Sequence, residues 1–455
     1  MEAFFHVGRI VSVVRKIRSV ILNILISGRT RRLRRAVVES RRRLLRRPHK
    51  VSVFLQLDDP YSYLLSHYLP SLAQHYDIDL SLYLSEARGG GYKPEPEMLA
   101  EYAVVDCERL ALELGIPFLD KGTTPPVEYR LTMLDAIAAT EGRNDFIDEL
   151  LQALAVHWRG DAEAASRRSG KDDEHVAADG IIAASNKVQS RLGHYNSATV
   201  HYAGEWYWGV DRLHYLFERL DGLGAARDES PAPRLESLCQ ATQVTLPVAP
   251  PAAARDLPPL ELFHSIRSPY SYLALQRTFD IADAFGLQLK LRPVLPMVMR
   301  GMQVPRRKLL YIARDAAREA DRRGIAFGKI ADPVGVGTER CLAVFYYAES
   351  ENRGRDFLLD AGEAIWSQAI DVSGDAGMRK VTGKTGLFWP DVLAAMESDA
   401  WRGPVEDNRE SMMASGSWGV PTLRMGDFVA WGQDRDWLLV RHIEELCDTG
   451  DGILV

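Results

Sequence analysis

Two short stretches, far apart in the chain, hold the side chains best suited to chemistry. In Leu260–Arg292 an apolar run (Leu260 to Ile266) ends at Ser268-Pro269, and a helical pattern begins there. Ser268 is a good N-cap, and Pro269 suits the first helical position, where its missing N–H costs nothing. A hydroxyl at that point stands beside backbone N–H groups and the positive end of the helix dipole, surroundings that favour an anion. The second stretch, Gly416–Leu439, carries Gly419-Val420-Pro421-Thr422 and then Gly432-Gln433-Asp434-Arg435. Each feature also has a plain structural reading: an ordinary N-cap at Ser268, a strand-entry proline at Pro421, a helix cap at Asp434.

The elements that must position these residues follow from local pattern. Leu273, Leu275, Phe279, Ile281, Ala282 and Phe285 roughly keep a helical period and Gly286 stops it, after which Leu287, Leu289 and Leu291 alternate as a strand. That is a βαβ unit. Leu309–Arg323, Leu342–Glu349, Asp356–Ile370 and Trp389–Asp399 read as helices. Thr422–Met425 and Phe428–Trp431 read as a hairpin about Gly426-Asp427, and Asp434–Leu446 as a last helix capped by its aspartate.

The same order occurs earlier. Pro60-Tyr61-Ser62-Tyr63-Leu64 matches Pro269-Tyr270-Ser271-Tyr272-Leu273, and Tyr102, Asp106, Arg109 and Gly115-Ile116 match Tyr311, Asp315, Arg318 and Gly324-Ile325 at a constant offset of 209. Trp158 falls where Trp366 does, one residue out, and Trp208-Gly209-Val210-Asp211-Arg212 matches Trp431-Gly432-Gln433-Asp434-Arg435. The pattern predicts a tandem duplication, with each repeat βαβ, a helical insertion, then ββα. The repeats fall at 51–222 and 259–448, joined by an extended Pro/Ala-rich linker over 223–258.

Charge sets the first residues apart. Residues 1–50 carry fifteen Lys and Arg against Glu2 and Glu39, a net +13, while the rest of the chain is −19. Ile10, Val13, Val14, Ile17, Val20, Ile21, Ile24 and Leu25 share one helical stripe ahead of the arginine run, so a basic amphipathic arm is expected. It reads as a peripheral contact with an anionic membrane, as a helix packed on the body or as an organelle transit peptide. Its apolar part is too short and too charged to span a bilayer, and no cleavage site of a secretory signal follows it. Nucleic acid is not an expected partner, since no aromatic residues interleave the basic run. Cys107, Cys239, Cys341 and Cys447 are scattered without a CxxC pair. Neither a disulfide framework nor a metal site is signalled, and a cytoplasmic location is expected, with membrane association through the arm as one reading of it.

Ser-Pro-Tyr-Ser-Tyr-Leu-Ala after a strand, Gly-Val-Pro-Thr before a hairpin and Gly-Gln-Asp-Arg before a last helix form a combination. It resembles the DsbA-like thioredoxin-fold family of 2-hydroxychromene-2-carboxylate isomerases and kappa-class glutathione transferases. The resemblance implies an α/β fold of two tandem thioredoxin-like domains with glutathione as cofactor. Ser268 is then the catalytic residue that hydrogen-bonds the glutathione thiol and keeps it ionised. Val420 and Pro421 would form the cis-proline loop that pairs with the tripeptide backbone. Asp434 and Arg435 would hold its γ-glutamyl end, and Lys308 would meet its glycine carboxylate. Arg267 could add positive potential, and Trp366 could line the acceptor pocket or belong to the core. Ser265 stands where the family often has an acidic residue, and Met302-Gln303 where a polar residue precedes the lysine.

The first repeat lacks these groups: Asp59, Ala198 and Leu99 replace the serine, the cis-proline and the lysine. A carboxylate there would repel a thiolate, so this repeat is expected to be catalytically silent and to serve as a built-in pseudo-dimer partner. The resulting expectation is a glutathione-dependent isomerase or transferase acting on an aromatic or unsaturated electrophile. The alternative is a non-catalytic thioredoxin-fold binding or assembly module held to a membrane by the arm. Dithiol–disulfide exchange is disfavoured, since neither helix start carries a cysteine.

Overall fold

The computed structural model describes residues 19–118, 134, 137, 146–159, 175–227 and 233–450. Residues 10–17 of the predicted apolar stripe therefore lie outside the described residues. The chain forms two compact units, one of residues 1–34 with 244–455 and one of residues 35–243.

Residues 19–26 are helical and precede α1 (Gly28–Leu44). In the 35–243 unit a four-stranded sheet has the order β2-β1-β3-β4. Its strands are β1 (His49–Leu55), β2 (Ile78–Leu84), β3 (Thr199–Tyr202) and β4 (Glu205–Trp208). β1 pairs parallel with β2 and antiparallel with β3, and β3 with β4 is antiparallel. Between strands run α2 (Pro60–Ser66), α3 (Leu69–His75), α4 (Pro96–Glu113), α5 (Phe146–Arg159) and α6 (His175–Leu192), with α7 (Leu213–Asp221) after the hairpin. Trp158, Phe54, Tyr63 and Tyr207 are fully buried and form much of the core. The stretch expected to be an extended linker instead holds α8 (Pro233–Ala241), whose Leu235 and Leu238 are buried and which packs on α3. Two apolar residues at i and i+3 suffice to seat such a short helix, a signal the surrounding Ala and Pro obscure.

The other unit repeats the arrangement, with sheet order β6-β5-β7-β8. The strands are β5 (Leu260–His264), β6 (Leu289–Pro293), β7 (Thr422–Met425) and β8 (Phe428–Trp431). β5 pairs parallel with β6 and antiparallel with β7. α9 (Pro269–Phe285) crosses between the parallel strands, capped by Ser268 at its start and closed by left-handed Gly286. The helical insertion comprises α10 (Arg306–Arg323), α11 (Val336–Ser350), α12 (Gly354–Trp366), α13 (Asp375–Thr385), α14 (Trp389–Glu397) and α15 (Arg402–Ala414). α16 (Asp436–Gly450) closes the unit. The last helix thus begins at Asp436, two residues later than the sequence pattern predicts. The βαβ order with helices on the sheet, followed by a hairpin, is the α/β thioredoxin-like fold expected.

Candidate active site

The site is built where three connections of the second sheet converge: the β5–α9 turn, the loop entering β7 and the turn leaving β8. Ser268 has extended backbone angles, and its Oγ accepts the Ser271 N–H at 3.1 Å, the N-cap bond predicted from Ser-Pro. The Ser268 N–H donates to Ser265 O, and the Ser265 N–H donates to Ser271 Oγ at 3.2 Å, so the turn is tied on both sides. Ser268 remains half-buried. Its hydroxyl also donates to the carbonyl of Val420 at 3.4 Å, which joins the helix start to the second stretch 152 residues away.

The Val420–Pro421 peptide bond is cis. Val420 packs against Phe263, Val294 and Met412, and this fixes the loop from behind. Gly419 is required by close approach: a Cβ there would strike the Trp431 indole. Arg300, from the turn after β6, donates to Trp418 O at 3.4 Å and anchors the loop from a third side.

The turn after β8 is bonded to the same loop, because the Gly432 N–H donates to Pro421 O at 2.9 Å. Gly432 sits at φ 124°, and a Cβ there would lie 2.5 Å from Asp434 Oδ1. Asp434 is half-buried. Arg435 is buried, with Nη1 3.3 Å from the Asp434 carbonyl and 3.7 Å from its Oδ1. The Arg435 guanidinium thus lies inside the protein beside Asp434.

The hydrogen bonds named above link Ser268, Val420, Pro421 and the 432–435 turn, and do not reach Lys308. Lys308 enters from the first turn of α10, half-buried, and burial draws its ammonium down to about 8. Arg267 lends no open charge to the serine, since Asp332 takes it in a two-pronged pair at 2.7 and 2.9 Å. Trp366 is a core residue: it is buried, donates to Ile266 O at 3.3 Å and stacks on Phe327 at 5.8 Å.

Sequence reasoning missed Asp436. It is buried, caps the Trp437 N–H at 2.9 Å and forms ion pairs with Arg277 of α9 and Arg323 of α10. Burial pushes its carboxyl up against the pull of the two arginines. Gln433 adds a bond to Glu319 at 2.9 Å and accepts from Arg323 at 3.1 Å. These contacts pin the turn that presents Asp434. The signal was the second aspartate in Asp434-Arg435-Asp436, one of which had to serve as the cap.

The corresponding place in the first unit has different chemistry. Asp59 caps α2, accepting from the Tyr61 N–H at 3.3 Å and the Ser62 hydroxyl at 2.8 Å. Desolvation pushes its carboxyl up, opposed by hydrogen bonds from Ser197 and Ser62. Ala198, in place of the cis-proline, sits at φ 53°.

Residues 259–444 match the model of the DSBA-like thioredoxin domain. A 2-hydroxychromene-2-carboxylate isomerase of Pseudomonas putida is 25% identical over 199 residues, covering 41% of this chain and 95% of that protein. One of Sphingobium xenophagum is 23% identical over 184 residues, covering 39% and 93%. A solved selenomethionine 2-hydroxychromene-2-carboxylate isomerase is similar with a TM-score of 0.38 and 23% identity, covering 43% of this chain and 99% of its own. The curated relatives are thus isomerases by name, matched over nearly their whole length.

Proposed function

We propose that the unit containing Ser268 is a glutathione-dependent isomerase of the 2-hydroxychromene-2-carboxylate type. The observation that carries this reading is the half-buried Ser268 hydroxyl, at a helix N-terminus and within 3.4 Å of the Val420 carbonyl. The residues present fit a tripeptide thiol: a hydroxyl at a positive helix end, an adjacent loop backbone, a half-buried carboxylate and a half-buried lysine. Glutathione, once bound, supplies a thiolate able to add to an unsaturated substrate and leave again, freeing rotation about a double bond.

The protein's part is to keep that sulfur ionised and in place. The Ser268–Val420 hydrogen bond is at the long limit, so the hydroxyl proton can turn to a thiolate at little cost. The Ser271 N–H already donates to Ser268 Oγ. The α9 dipole adds to the stabilisation, and together these lower a thiol pKa from about 8.5 toward neutrality. Asp434, steadied by Arg435, takes the ligand's ammonium, and Lys308 its glycine carboxylate. Residues 51–222 take no part in this chemistry, because Asp59 and Leu99 remove both the hydroxyl and the cation.

Ser268→Ala and Pro421→Ala are each expected to lower glutathione-dependent isomerisation of 2-hydroxychromene-2-carboxylate about 100-fold or more in kcat/KM. Retention on immobilised glutathione should be lost in Asp434→Ala. Unchanged rates in both single variants would overturn the assignment.

A further inference from the structure

A helix lying on a protein ordinarily turns its apolar face inward. In α1 the polarity is reversed, and none of its residues is buried. Its attachments are arginines. Arg31 pairs with Asp321, and Arg35 grips Glu205 with bonds of 2.7 and 2.6 Å. Within the helix Arg42 holds Glu39, and it donates to the Arg47 carbonyl just past the helix end, both at 2.8 Å.

These attachments leave the aliphatic side chains outward. Leu33, Val37 and Leu44 are 67%, 67% and 83% exposed. At 100° per residue they fall within about 40° of one another on the helix, a single stripe. Arg29 and Arg32 border it on one side, Arg34 and Arg41 on the other, and all four are exposed. Residues 19–26 add exposed Val20, Ile21 and Ile24 just before it.

We propose that this stripe seats α1 flat on an anionic lipid surface. Aliphatic side chains enter the boundary between headgroups and acyl chains while the bordering guanidinium groups meet lipid phosphates. Charge favours this occupant over the others. A second copy of the stripe would bring arginine rows against arginine rows. A nucleic acid would use the arginines and leave the leucines in water. The chain beyond residue 50 is −19 while residues 1–50 are +13, so the net attraction to a negative bilayer lies with this segment.

The test is flotation of the full chain with vesicles of phosphatidylcholine alone and of phosphatidylcholine mixed with phosphatidylglycerol. Binding to the mixture only is expected. Leu33→Glu/Val37→Glu should weaken it about tenfold or more, and Arg32→Gln/Arg41→Gln should weaken it as well. Both pairs are exposed, so thermal unfolding should not move. Absence of flotation with the mixture would overturn the proposal, as would equal flotation of the Leu33→Glu/Val37→Glu variant. Vesicle-independent self-association abolished by that variant would also overturn it, by assigning the stripe to a second copy.

Discussion

The starts of α2 and α9 share a frame and differ at its centre. In both, a tyrosine one residue into the helix bonds an aspartate of a later helix at 2.8 Å: Tyr61 to Asp106, Tyr270 to Asp315. In both, a serine hydroxyl accepts the N–H of the residue that follows the end of the strand, Gln56 at 3.0 Å and Ser265 at 3.2 Å. A tryptophan donates back to the same turn, Trp158 to Leu57 O at 2.9 Å and Trp366 to Ile266 O at 3.3 Å. A glycine N–H ties the hairpin to the facing loop, Gly209 to Ala198 O at 2.8 Å and Gly432 to Pro421 O at 2.9 Å. Within these matching bonds, one unit holds a carboxyl that accepts from serines and the other a hydroxyl that donates to a carbonyl. The frame therefore does not dictate the chemistry. It fixes a backbone position, and the side chain placed there decides which ligand charge is welcome.

Exchanging the central residue is the most direct way to break the comparison. Ser268→Asp, which gives the second unit the first unit's cap, should lower glutathione-dependent turnover at least as far as the loss of one oxyanion-type donor, about 10²- to 10³-fold. The new carboxylate repels a thiolate and accepts where the hydroxyl donated. Aspartate is itself a good N-cap, so unfolding should barely shift. The reverse change, Asp59→Ser, should create no activity, since Ala198 and Leu99 still lack the loop and the cation. Turnover retained in Ser268→Asp would show that the centre of the frame does not carry the reaction.

A smaller effect separates Lys308 from Leu99. Burial places the lysine at about 8, so its charge is present below that pH and lost as pH rises through it. Affinity for S-methylglutathione, whose sulfur does not titrate, should fall several-fold over that range by calorimetry. Lys308→Arg keeps its charge, and its profile should stay level where the wild type falls, so the difference isolates the lysine. If the two profiles decline together, Lys308 does not hold the carboxylate.

What could be read beforehand was what local chemistry fixes. Ser268 as cap, Gly286 as stop and the hairpin from Thr422 to Trp431 all depend on residues within a few positions of one another. What could not be read depends on distant partners. α15 was not anticipated because its buried positions, Val405, Asn408 and Met412, include a polar side chain. Asn408 is tolerated there since it donates to Pro293 O at 3.0 Å and to the Tyr346 hydroxyl at 3.2 Å. The same holds for Arg267, whose charge is met by Asp332, and for Asp436, whose partners Arg277 and Arg323 lie on other helices. A sequence names a charged residue, but only the fold shows whether its charge is already answered.

The least of the expected effects concerns stability and tests the other half of the comparison. Desolvation raises the Asp59 carboxyl above its ordinary 3.8. The folded protein then binds this proton more tightly than the unfolded chain does. The resulting stability is fully present below the ordinary value and is lost as pH rises through the raised one. Asp59→Asn does not titrate, and its amide oxygen still caps the Tyr61 N–H, while the Ser62 and Ser197 hydroxyls can turn to accept. The variant should be as stable as the wild type at neutral pH or more so, by about 1 kcal/mol or less, and should lack the decline with pH. Hydrogen exchange of the β1 and α2 amides across the acid range would read this locally. A wild type whose protection instead grows with pH in that range would mean that the Asp59 carboxylate is welcomed in its ionised form, and the contrast with Ser268 would then rest on the direction of hydrogen bonding alone.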